Sequence, residues 1–153
     1  MHRNAERFAA TLVALGETGE VRETEATAHT AADAAAALGV PVGAIVKSLV
    51  FEVEGLPIVV LASGPNRVDV DLVGALLGGE VGKAQASTVK SATGYSIGGV
   101  PPFGYPSPLR TIIDEDLLRL EVLWAAAGMP NAVFPIAPDR LVALSGGTVA
   151  RIH

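Results

Sequence analysis

The chain has no cysteine, which removes disulfides, thiolate metal sites, iron–sulfur clusters and a cysteine nucleophile in one step. Histidine is nearly as scarce: there are three, and His2 and His153 stand at the chain ends, leaving His29 in the interior of the sequence. A Ser–His–Asp triad has only His29 to draw on, and neither a tetrahedral zinc site nor an H-E-x-x-H pair has enough ligands. No metal or other cofactor is expected. Long apolar runs are also missing, since none approaches the roughly 18 to 20 residues that a bilayer span requires. No membrane span is therefore expected. The opening Met1-His2-Arg3-Asn4-Ala5-Glu6-Arg7 mixes charges and lacks the apolar core of an export signal, so the cytoplasm is the expected location. Positive charge is in deficit, with 11 basic against 16 acidic side chains and a net charge of −5. Any nucleic-acid contact must then be local rather than a general coat.

What is present is apolar surface. Half of the 153 residues are hydrophobic and 18% are charged, enough to offset the entropy of folding in one domain spanning residues 1–153. Phe8, Leu12 and Leu15 recur at helical spacing after Asn4, a candidate N-cap, and before Gly16. The stretch from Gly19 to Thr27 reads as an edge strand. Thr30-Ala31-Ala32-Asp33 resembles a capping box ahead of an alanine run that ends at Leu38-Gly39. Residues 45–53 and 57–62 are β-branched runs separated by Glu54-Gly55, the pattern of a hairpin. Helices are expected from Asp69 to Leu77, from Ser87 to about Ala92 and from Pro138 to Leu144. Strands are expected around Val81 and at Arg110–Ile113, Val122–Ala126, Val133–Ile136 and Val149–Ile152. Links between neighbouring strands are often too short for a parallel crossover, which favours an α+β fold over a Rossmann fold: a mixed sheet with flanking helices.

Three features bear on chemistry. Lys47 is the only charged residue between Val40 and Phe51, inside a run that reads as a buried strand, where a lysine must snorkel to solvent, find a counter-ion or face a cavity. The segment from Gly94 to Pro108 concentrates glycine and proline. Within it Gly98-Gly99 has no side chains to block approach, so its amides suit a developing oxyanion, and Pro101 and Pro102 stiffen the backbone beyond the pair. A plain structural turn is the competing reading. Asp114, Glu115 and Asp116 open a predicted short helix, where the helix dipole favours negative charge without any catalytic demand. His29, close to a helix start, reads as a structural or solvent-facing side chain and stays a candidate substrate contact.

Lys47 and the glycine loop together carry a resemblance. The strings Ala44-Ile45-Val46-Lys47-Ser48-Leu49-Val50-Phe51 and Thr93-Gly94-Tyr95-Ser96-Ile97-Gly98-Gly99-Val100-Pro101-Pro102-Phe103-Gly104 are similar to the two signatures of the YbaK and prolyl-tRNA-synthetase-associated editing family. The similarity extends over about residues 20 to 152. It implies a YbaK-like, mainly antiparallel and partly barrel-like sheet, and a freestanding aminoacyl-tRNA deacylase that acts in trans. It also implies that Lys47 matches the family's active-site lysine, holding the terminal phosphate or the carbonyl region, and that Gly98 to Pro102 fits its G-x-x-x-P loop. Gly104 matches a further glycine of that loop, and Val100, Pro101, Pro102 and Phe103 fall beside the bound carbonyl. Pro101 stands where some members carry a small polar residue, a difference bearing on substrate preference.

No side-chain base is evident, so water attack assisted by a neighbouring ribose hydroxyl is the expected mechanism. The expected substrates are tRNAs mischarged with alanine, cysteine, serine, threonine or 2-aminobutyrate, with alanine or 2-aminobutyrate ahead of serine. The expected partners are the tRNA acceptor end and a synthetase such as prolyl-tRNA synthetase, with the chain a monomer or homodimer. Lys47, Arg67, Lys83, Lys90 and Arg110 are the candidate cations for the acceptor end. The competing function is a non-catalytic module that binds the acceptor end or a small ligand for a synthetase.

Overall fold

The computed structural model describes residues 2–25 and 30–153. Its elements track the apolar patterning closely. The first helix, α1 (Arg3–Ala14), buries Ala5, Phe8 and Leu12, while Leu15 falls outside it as an exposed C-terminal cap. Its N-cap is His2 rather than Asn4, because the His2 ring Nδ1 accepts the Asn4 N–H at 3.0 Å. The expected edge strand shrinks to β1 (Arg22–Glu23), and the part of that expectation reaching Thr27 lies outside the described residues. The next helix, α2 (Ala31–Leu38), has the full capping box: Thr30 accepts from Asp33 N–H, Asp33 accepts from Thr30 N–H, and Gly39 closes the helix in the left-handed conformation.

The hairpin forms as β2 (Ile45–Val53) and β3 (Leu56–Ser63). Beyond it come α3 (Val70–Leu77), β4 (Val81–Lys83) and α4 (Ala86–Thr93). The Gly94–Pro108 segment has no regular structure, and it leads into β5 (Arg110–Asp114). The acidic segment forms a 3-10 turn over Glu115–Arg119 instead of an α-helix. The chain continues as β6 (Leu123–Met129), β7 (Ala132–Ile136), α5 (Pro138–Ser145) and β8 (Thr148–Ala150). No helix among the described residues is long and apolar enough to cross a membrane.

The strands make one mixed sheet in the order β1-β7-β6-β2-β3-β5-β8, with β4 also paired to β2. Four of the pairings are antiparallel and three parallel. The sheet does not close on itself. One local feature positions the site. On the edge of β2 away from β3, Ile45 and Val46 pair with β6, and Phe51 to Val53 pair with β4. Between them, residues 47–50 have no neighbouring strand on that edge among the described residues, so the sheet parts beside Lys47 and leaves backbone N–H and C=O groups facing the gap.

Candidate active site

The gap is a cleft of about 320 Å³. From β2 it is lined by Ile45, Lys47, Ser48 and Leu49, from β6 by Trp124 and Ala126, from α2 by Ala31 and Ala34, and from the glycine loop by Ile97, Gly98 and Val100. The hairpin and the loop, some fifty positions apart in sequence, thus meet at one site, as the Lys47 and Gly98 pattern predicts. Most of the wall is apolar. Ile97 forms an exposed lip, 63% accessible.

Lys47 reaches the cleft because its strand neighbours leave room. Directly across β3 it pairs with Ala62, a small buried residue, and the parallel β3–β5 register (Leu61 with Ile113) puts Asp114 next in that row. The lysine ammonium donates to the backbone carbonyl of Asn66 at 2.7 Å. Burial lowers the Lys47 pKa from its ordinary value; the Arg67 guanidinium lowers it further, and Asp114 opposes both. One of three N–H donors is committed to Asn66, leaving two for a substrate.

Asp114 is fully buried. Its Oδ2 accepts from the Ser63 N–H at 2.9 Å and from the Asn66 amide at 2.8 Å, and its Oδ1 accepts from the Asp116 N–H at 3.0 Å. The Asn66 amide also donates to Asp116 at 2.8 Å, and His153 Nε2 lies 2.9 Å from that same Asp116 oxygen. Asp114, Asp116 and His153 are close enough to share an ion. The carboxylate oxygens they would offer already hold N–H donors, so the arrangement is a hydrogen-bonded brace around Asn66.

The loop wall is built by close packing. Gly98 has φ +90° and sits at the third position of the Ser96–Gly99 turn, which needs a left-handed residue there. Sequence alone suggests that both glycine amides face a carbonyl, and the structure corrects this: the Gly99 N–H is spent on the Ser96 carbonyl at 3.0 Å. Gly99 serves instead as a contact point, since a Cβ there would lie 2.9 Å from the Gly128 carbonyl oxygen. Among the described residues, no acceptor engages the N–H of Gly98 or Val100, and both residues line the cleft.

Val100 lines the cleft as expected, but the residues after it lie behind the loop. Phe103 is buried with its ring 5.7 Å from that of Phe8 and 5.9 Å from that of Phe134. A side chain at Gly104 would press on Thr11 of α1 at 3.0 Å. Pro101 and Pro102 are buried and outside the cleft lining, with the Pro101 carbonyl accepting from the Tyr105 hydroxyl at 2.7 Å. Phe103 and Gly104 are thus not among the residues lining the cleft, and each packs against α1. His29 lies outside the described residues.

Of the candidate cations, Arg67 is close enough to act on Lys47. Lys90 turns back to the Gly94 carbonyl at 3.3 Å, and Arg110 opens β5 at the end away from Asp114. Two contributors are not visible in the sequence. Asn66 reads there only as part of a loop. Ser48 is the other: its Oγ is buried, and no group among the described residues bonds it. The one signal for Ser48 is adjacency to Lys47 in a strand, which does not reveal that the sheet parts there.

Residues 25–144 match the aminoacyl-tRNA editing domain family. A proline–tRNA ligase of Desulfovibrio desulfuricans is 37% identical over 83 residues, 54% of this chain and 14% of the ligase. The candidate Cys-tRNA(Pro)/Cys-tRNA(Cys) deacylase EbsC of Enterococcus faecalis is 26% identical over 127 residues, covering 81% of this chain and 77% of EbsC. A crystal structure described as a candidate trans-editing enzyme for prolyl tRNA synthetase superposes with a TM-score of 0.95 at 42% identity, covering 99% of this chain and 98% of the other. A lysine and a glycine loop lining one apolar cleft, in a chain matched along most of its length, lead to one conclusion: the protein belongs to the aminoacyl-tRNA editing domain family and is a hydrolase of the aminoacyl-tRNA ester.

Proposed function

We propose that the protein clears small, wrongly attached amino acids from tRNA in trans, with the terminal adenosine of the acceptor end seated in the cleft between β2 and the glycine loop. The observation that carries this reading is the shared cleft of Lys47, Gly98 and Val100. In the reaction, water oxygen adds to the ester carbonyl carbon, and negative charge develops on the carbonyl oxygen. The Gly98 and Val100 amides and the two uncommitted Lys47 protons are the donors available to that charge. The ester C–O bond then breaks, the ribose oxygen leaves with one of the water's protons, and the other goes with the new carboxyl of the amino acid, which releases it to solvent. The vicinal ribose hydroxyl orients the attacking water, because no side-chain base stands in the cleft among the described residues; orientation of an already activated ester suffices. Water is the sole co-reactant.

The cleft's size and lining support alanine, cysteine, serine, threonine and 2-aminobutyrate as the amino acids removed, because a cavity walled by Ala31, Ala34, Ala126 and Trp124 excludes bulk more sharply than it rewards a methylene. Alanine and 2-aminobutyrate stay ahead of serine in this reading, and Ser48, whose buried hydroxyl has no partner among the described residues, is the group able to favour serine or cysteine by bonding a substrate hydroxyl or thiol. Prolyl-tRNA synthetase is the synthetase whose errors the enzyme corrects in this reading, and the protein acts where charged tRNA is found, in the cytoplasm, as a monomer or homodimer.

The test is a panel of proline tRNAs charged with alanine, serine, cysteine, threonine, 2-aminobutyrate and phenylalanine. Loss of the small esters with retention of the phenylalanyl ester is expected. Binding of the acceptor end with no ester loss above the buffer blank on any of them would sink the enzyme and leave an accessory module. Equal rates on a terminal 2′-deoxy substrate would remove the ribose hydroxyl from the mechanism.

A further inference from the structure

Asp114 is a buried carboxylate with no place in the ester cleavage itself, and burying a charge is costly unless the surroundings satisfy it. Three hydrogen bonds do so, and two of them come from the segment that holds Lys47: the Ser63 N–H and the Asn66 amide. Asn66 is tied from both directions. Its N–H donates to the Ser63 carbonyl at 2.9 Å, its side chain spans Asp114 and Asp116, and its carbonyl accepts the Lys47 ammonium. Without the side-chain clamp, that carbonyl belongs to an exposed loop of glycine and proline. With it, the carbonyl has one position.

The sheet makes this possible. Lys47, Ala62 and Asp114 occupy successive strands in one row, about 10 Å from first to last at the usual strand spacing. The residue between the two in this row, Ala62, is small and buried. We propose that Asp114, acting through Asn66, is the positioning residue for Lys47: it fixes the carbonyl that orients the ammonium, so that the remaining two protons face the cleft. The inference rests on the editing reading of the site, and it assigns no contact between Asp114 and substrate.

The charged groups acting on Lys47 are Arg67, from the loop after β3, and Asp114, from the end of β5. Asp116 and His153 stand behind Asn66, and α2 contributes Asp33 in its capping box. The loop from Ile97 to Val100 brings no charge. Because Asp114 raises the Lys47 pKa and Arg67 lowers it, their removal should move Lys47 in opposite directions.

The experiment pairs single-turnover and steady-state deacylation with NMR titration of the Lys47 side chain in the tRNA-free protein. The variants are Asn66→Ala, Asp114→Asn, Arg67→Ala and Lys47→Ala. For Asn66→Ala, kcat should fall at least tenfold with KM within twofold of wild type. The Lys47 midpoint should shift down in Asp114→Asn and up in Arg67→Ala. Asn66→Ala keeps the inference testable where Asp114→Asn fails to fold. Wild-type kcat in Asn66→Ala, or equal falls in kcat and thermal stability with an unmoved Lys47 signal, would overturn the positioning role. Wild-type turnover in Lys47→Ala would instead overturn the reading of the site on which the inference stands.

Discussion

The cleft has two walls held by different physics. The Lys47 wall is a regular sheet row closed by hydrogen bonds around one buried carboxylate, at distances of 2.7 to 3.0 Å. The Gly98 wall is irregular backbone held by contact: Gly99 against Gly128, and Phe103 wedged between Phe8 and Phe134. A polar network fixes direction, which an ammonium needs, because hydrogen bonds are angular. Packing fixes position, which a pair of backbone amides needs, because the turn already sets their direction. The two walls should therefore fail separately.

The largest effect is expected at the packed wall. Phe103→Ala removes a buried ring that packs on both Phe8 and Phe134 and should cost about 3–5 kcal/mol of unfolding free energy, read by urea denaturation. A cost below about 1 kcal/mol would mean that the cluster does not hold the loop. The Lys47 NMR signal of the folded protein should stay at its wild-type position, since that residue is tied elsewhere. Gly98→Ala comes next. The added methyl has room, 3.6 Å from Pro130, so the cost is the left-handed backbone alone, about 1–2 kcal/mol, and a melting curve indistinguishable from wild type would contradict the turn assignment.

A smaller change should come from Ser48→Ala. Loss of one hydrogen bond is worth about 0.5–1.5 kcal/mol, which lowers kcat/KM for seryl relative to alanyl ester by roughly two- to tenfold. An unchanged ratio would place Ser48 outside the amino-acid pocket. The smallest effect concerns pH. The hydrogen bonds from His153 and Asn66 hold the Asp116 carboxyl below its ordinary pKa. A depressed carboxyl contributes stability that is present above the unfolded value and is lost as pH falls through the folded value. Wild type should thus melt slightly higher than Asp116→Asn at neutral pH, with the gap closing as pH drops below about 4, and a pH-independent gap would show that the hydrogen bonds do not depend on charge.

Local chemistry is legible in the sequence and long-range placement is less so. Thr30 and Asp33 announce their helix because both partners of the capping box lie within four residues, and β2 and β3 announce themselves through β-branched runs around Glu54-Gly55. Lys47 stands out by charge contrast and the loop by composition. The role of Asp114 is hidden, because its partners Ser63 and Asn66 are about fifty positions away and a carboxylate at a strand end looks the same whether it caps a turn or is sealed in a core. Phe103 looks like pocket wall by its position in the glycine string, but the neighbours that claim it, Phe8 and Phe134, come from α1 and β7. Gly99 cannot be told from Gly98 without knowing which amide the turn consumes.

The most direct measurement is single-turnover hydrolysis of alanine-charged proline tRNA by wild type and Lys47→Ala at matched folded concentration. The account predicts a loss on the order of 10²–10³ in the rate of ester cleavage, with both proteins melting at similar temperatures. A Lys47→Ala protein that cleaves the ester as fast as wild type would contradict it.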